Sequence, residues 1–142
     1  MGLPAASRIA RIATICARVL LSLPFVLGGL QHLMRTQDVA ARLTKAPLSG
    51  LATAVAPAEV LVVATGWLLI AGGLGIALGI LTRWAALGSM ALLVAISVTA
   101  LVGDRAEAGP LIKNLAIFGG LLLLLLLDDA NRALRGGDDP QP

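Results

Sequence analysis

The sequence predicts an all-α integral membrane protein, a bundle of four transmembrane helices in up-down order. Three observations predict it. Of 142 residues, 58% are hydrophobic and only 13% are charged, and the mean hydropathy is +0.92. A soluble domain is about 45–50% apolar and about 25% charged, so this chain lacks the polar residues to cover a water-facing surface. The apolar residues gather in four runs divided by charges and turn-formers, and none of the runs alternates with the period of two that a barrel strand requires.

A short basic segment, residues 1–12 with Arg8 and Arg11, precedes the first run. That run, residues 13–34, carries Arg18 near its start and Gln31-His32 near its end. Basic residues before an apolar run also fit a secretory signal peptide, but the run is long. Gly28-Gly29-Leu30-Gln31-His32 also offers no small-x-small cleavage site. The second run, residues 53–81, holds one ionisable residue, Glu59, placed about two turns inside the helix and just after Pro57. Thr82-Arg83 then makes a tight hairpin, because a single crossing from Thr53 to Val102 would bury Arg83 near its middle. The third run is residues 84–102, with Trp84 as an interfacial aromatic anchor. Gly103 to Pro110 is a polar loop, and the fourth run, residues 111–127, stops at Asp128-Asp129. Each run meets or approaches the ~20 residues a helix needs to cross ~30 Å of hydrocarbon. These helices make one domain, residues 13–130, and the breaker-rich residues 131–142 make a disordered polar tail.

The net charge of +3 and pI near 10.0 do not indicate a nucleic-acid partner, since the basic residues are scattered through connections and form no stripe beside aromatics. The single Cys16 forms no internal disulfide, and no Cys, His and Asp cluster has metal-ligand spacing. The expected metal content is therefore none. With the N-terminus inside, Arg8, Arg11, Arg18, Arg83, Arg132 and Arg135 face the cytoplasm, against Arg35, Arg42, Lys45, Arg105 and Lys113 opposite. The first segment favours both termini cytoplasmic. The alanine, leucine and arginine bias suits a GC-rich bacterial genome, so the expected location is the bacterial inner membrane.

Up-down order makes the end of helix 1 and the starts of helices 2 and 4 share one side. Gln31, His32, Glu59, Lys113 and Asn114 then converge there as candidates for ligand binding or proton handling, while Arg18, Arg83, Asp128 and Asp129 gather on the opposite side. An acid within the bilayer usually faces the bundle and pairs. Glu59 is therefore either a proton-accepting or ligand-binding carboxylate or half of a structural ion pair with Lys113 or His32. His32 could meet a quinone carbonyl, shuttle a proton or bind a metal; the plainer reading is an interfacial histidine at a helix end. Lys113 and Arg18 have a bland reading too, as residues snorkelling to headgroups. Packing signals come from Gly28, Gly29, Gly72, Gly75, Gly79, Gly119 and Gly120, with Gly75-xxx-Gly79 a small-xxx-small face for another helix or a partner.

The order of elements resembles the DoxX family of small bacterial four-helix membrane proteins. The resemblance rests on Ala17-Arg18-Val19-Leu20-Leu21 opening helix 1, and on Phe25 through Gly28-Gly29-Leu30-Gln31-His32-Leu33 closing it. Pro57-Ala58-Glu59 near the start of helix 2, the Leu81-Thr82-Arg83 turn and Lys113-Asn114-Leu115-Ala116 opening helix 4 extend it. His32 stands where the family usually has a lysine, so a role tied to that lysine does not transfer. The resemblance implies association with quinol oxidase or thiosulfate:quinone oxidoreductase assemblies. It points to an accessory or anchoring subunit without catalytic residues of its own, with quinone as the one cofactor suggested and none bound covalently. Partners would be the lipid bilayer, other membrane or membrane-associated subunits, or further copies of the chain. Two other readings stay open: a small proton-coupled transporter or exporter using Glu59, and a pure membrane scaffold.

Overall fold

A computed structural model describes residues 5–46, 48–80, 82–98 and 108–136, and these form six helices: α1 (Ala5–Met34), α2 (Thr36–Lys45), α3 (Ser49–Thr53), α4 (Ala58–Leu78), α5 (Thr82–Ile96) and α6 (Ala108–Gly136). Three stretches are long and apolar enough to cross a membrane: Arg8–Met34 in α1, Ala58–Leu78 in α4 and Gly109–Ala130 in α6. The third crossing is the shorter α5. Its 15 residues rise only about 22 Å, and residues 97–98 continue it in a wider π turn. The chain is a helical membrane bundle, and among the described residues it contains no strand.

Several boundaries differ from the sequence reading. The second crossing begins at Ala58, with Pro57 as its cap, and not at Thr53. Residues 53–57 are apolar but belong to the end of α3 and a turn, where hydropathy alone does not distinguish them from a span. The hairpin falls at Gly79, which ends α4 in the left-handed conformation at φ 70° with its N–H on the Ile76 carbonyl; Thr82 and Arg83 already lie in α5. α1 starts at Ala5, within the segment read as a basic leader. α6 runs on to Gly136, so residues 131–136 are helical and only 137–142 of the expected tail lie outside the described residues. Val102, the expected end of the third run, and residues 103–107 of the expected loop also lie outside them.

Lipid leaves no water for stray backbone or hydroxyl groups, so hydroxyls in the spans turn to backbone carbonyls of their own helix, with the buried Ser89 hydroxyl an exception among the described residues. Ser22 donates to the Val19 carbonyl at 2.8 Å and Thr14 to the Ala10 carbonyl at 2.9 Å. α1 continues through Pro24, a residue tolerated in membrane helices when packing holds them.

The core lies between α1, α4, α5 and α6: Phe25, Leu69, Ile76, Ala86, Leu93, Leu121, Leu124 and Leu125 are buried together. Between helices in lipid there is little hydrophobic driving force, so close backbone approach and dispersion must hold the bundle. α1 and α4 achieve it along a glycine seam. A Cβ on Gly29 would stand 2.5 Å from the Gly66 carbonyl oxygen, and one on Gly73 would stand 3.0 Å from Phe25 Cβ and 3.1 Å from the Ser22 carbonyl oxygen. α5 approaches α4 where a Cβ on Gly75 would meet Ala85 Cβ at 2.9 Å and one on Gly72 would meet Ser89 Oγ at 2.5 Å. On α6, Gly120 makes room for Leu21 of α1.

Candidate functional site

The register of the α1–α4 seam decides how deep each polar residue lies. His32 Cβ would meet a Cβ on Gly66 at 3.1 Å, so His32 and Gly66 share a level. Glu59 is seven residues nearer the start of α4, about 10 Å further along the axis. It belongs to the first turn of α4 and is exposed, so the expectation that it lies two turns inside the span is corrected. From Ala58 to Leu78 the helix rises about 31 Å. That matches a ~30 Å hydrocarbon slab and puts Glu59 at one edge. A carboxylate there also complements the positive end of the helix dipole.

The five side chains expected to converge are divided among four separate environments. His32 Nδ1 lies 2.8 Å from the Gly28 carbonyl oxygen, so that nitrogen carries the proton and donates within its own helix. Asn114 Nδ2 donates to Ser97 Oγ at 3.1 Å, joining α6 to the π turn that follows α5. Gln31 and Lys113 are exposed. Among the described residues Glu59 makes no ion pair, with Lys113, His32 or any other residue. It instead borders an open cleft of about 520 Å³ between α2 and the start of α4, lined also by Gln37, Ala40, Ala41, Thr44, Pro57 and Ala58.

The opposite end brings its four charged residues into two pairs. Arg18 Nη2 donates to Asp128 Oδ1 at 3.5 Å, and both side chains are mostly buried, 23% and 17% exposed. Arg83 and Asp129 approach at 4.0 Å but are about half exposed. Gly79 completes this end, because any side chain there would collide with the Arg18 guanidinium. Arg18 Nε is buried without a partner among the described residues. The deeper pair therefore ties the first span to the last, while the outer pair lies in the region where ion pairs contribute little.

Of the glycines singled out for packing, Gly29, Gly72, Gly75, Gly79 and Gly120 lie at close approaches; a Cβ at Gly28 or Gly119 would meet nothing within 4 Å. Those two occupy the open side of their helices. Gly66 was not anticipated, although it faces α1 directly, as does Gly73 of the Gly72-Gly73 pair. Their seven-residue spacing on one helix face was the signal available, matched by Ser22 and Gly29 on α1. Ser97, which accepts the Asn114 hydrogen bond, carried no comparable signal. Among the described residues no three His, Cys, Asp or Glu side chains form a group that could hold a metal, and Cys16 is exposed and unpaired.

A family model described as DoxX matches residues 13–102, which takes in α1 from Ala13 onward and all of α2 to α5 but not α6. The Lys113-Asn114 opening of the last helix therefore lies outside the matched region. No curated protein and no solved structure matches the chain.

Proposed function

The chain belongs to the DoxX family, and from that membership, with the way its polar groups are engaged, we propose a non-catalytic subunit that anchors or assists a quinone-linked redox complex in the bacterial cell membrane. One observation carries the reading. Polar side chains of separate helices are engaged with one another, Arg18 of α1 with Asp128 of α6 and Asn114 of α6 with Ser97 after α5, so they join the helices of the bundle. Large apolar side chains meanwhile cover the outer faces of α1, α4 and α6, including Leu20, Leu27, Trp67, Leu74, Leu115, Leu123 and Leu126. Such faces suit lipid and flat helix-on-helix contact with neighbouring subunits. At the rim of the α2–α4 cleft, the Gln37 amide is a donor for a quinone carbonyl and the Glu59 carboxylate an acceptor for a quinol hydroxyl at the membrane edge.

The position of Glu59 weakens the transport reading. An acid at the rim of the slab needs no partner and marks no path through the bundle, whereas proton-coupled carriers depend on an acid held within the span.

The test is purification of the tagged chain from its native membrane in mild detergent, followed by mass spectrometry and extraction of bound quinone. Stoichiometric recovery of a dehydrogenase or oxidase is the expected result. A chain that emerges alone and without quinone refutes the accessory role, and one that oxidises a quinol unaided refutes its non-catalytic character.

A further inference from the structure

We propose that residues 35–46 and 48–55, between the first two spans, form an interfacial platform that lies in the headgroup layer and prefers anionic lipid. Their height is set by what they pack on. Gln37, Ala40, Ala41 and Thr44 of α2 line the cleft opposite Pro57, Ala58 and Glu59, which begin the ~31 Å crossing at the hydrocarbon edge. Ala40 is buried and Val39 and Leu43 are half-buried, so the apolar side of this short amphipathic helix is occupied by protein. Its other side presents Arg42 and Lys45, and Arg35 precedes it; all three are exposed, against a single acid, Asp38.

The second half of the segment has the opposite character. Leu48, Leu51 and Val55, around α3, are 36%, 62% and 80% exposed. Among the described residues nothing covers Leu51 or Val55, and both stand within a few residues of the membrane edge at Ala58. Three exposed aliphatic side chains beside three cations form the pattern of a monotopic element, with aliphatic groups in the acyl boundary and basic groups among phosphates. The occupant is the bilayer surface itself. Two features select it: the excess of positive charge, and direct continuity with the lipid-facing surface of α1 and α4.

The full chain carrying Cys16→Ser and a single Val55→Cys, labelled with nitrobenzoxadiazole, is reconstituted into phosphatidylcholine vesicles with or without phosphatidylglycerol. Nitroxide lipid should quench the label by about twofold or more, and aqueous iodide should reach it poorly, as expected for a group seated in the acyl boundary. Iodide protection should increase with phosphatidylglycerol, and Arg42→Glu with Lys45→Glu should abolish that increase while helicity is retained. Leu51→Cys supplies a second site if the Val55 variant folds poorly. Full iodide access in every vesicle overturns the proposal and leaves the exposed aliphatics for a protein partner. Equal protection in neutral and anionic vesicles overturns the headgroup preference.

Discussion

Adjacent glycines in α1 should respond to the same substitution with opposite signs. A Cβ on Gly29 would stand 2.5 Å from the Gly66 carbonyl oxygen and 3.0 Å from the Ile70 nitrogen, against ordinary contact at 3.4–4 Å. Both obstacles are backbone, so no side chain can rotate away and the two helices must part by about 0.9 Å at this point. A gap of that size forfeits roughly a quarter to a half of each neighbouring dispersion contact. In lipid those contacts supply much of the attraction between helices. Gly29→Ala should therefore cost about 2–3 kcal/mol, the upper part of the range for overpacking. A Cβ on Gly28 meets nothing within 4 Å, so Gly28→Ala should be neutral or should stabilise by up to about 1 kcal/mol through helix propensity. Reversible unfolding in mixed micelles of increasing dodecyl sulfate fraction, followed through Trp67 and Trp84 fluorescence, would measure both variants. Equal midpoints would refute the seam, because propensity alone predicts the same change at both positions.

Four further outcomes can be checked in the same assay. Asp128→Asn should destabilise by about 1–3 kcal/mol, since it leaves the mostly buried Arg18 without its carboxylate. Asp129→Asn should stay within about 0.5 kcal/mol, because its pair with Arg83 is half exposed; a reversed order would show that the outer pair is the structural one. Ser89→Ala should stabilise by roughly 1 kcal/mol, because the Ser89 hydroxyl is buried without a partner among the described residues; a loss would reveal a hydrogen bond formed in the membrane. Glu59→Gln should leave the midpoint within about 0.5 kcal/mol, as for an exposed surface position, and a large shift would mean that Glu59 is a structural ion pair after all.

The number of crossings and their order were legible because hydropathy and charge punctuation act along the chain, where the sequence is explicit. The Arg18 end was legible for the same reason. Antiparallel helices bring known chain positions to one side, and Arg18, Arg83, Asp128 and Asp129 all sit at run boundaries. Glu59 was misplaced because residues 53–57 are as apolar as a span, and only Pro57 marked the break. Glu59 therefore stands seven residues, about two helical turns or 10 Å, from the level of His32. Helix rotation was the information most lacking. Gly28 and Gly29 look equivalent in sequence, yet one faces open space and the other faces Gly66, and the choice depends on a partner helix 37 positions away.

The Arg18–Asp128 pair joins residues separated by 110 positions, and this separation imposes an order of assembly. At about 5–20 residues per second, the ribosome delivers Asp128 roughly 6–22 s after Arg18. Through that interval α1, α4 and α5 can insert and seal their glycine contacts, but the guanidinium must remain among water and headgroups. The last helix to be made therefore closes the first, and a chain truncated before Asp128 would hold a complete glycine seam with an open electrostatic latch.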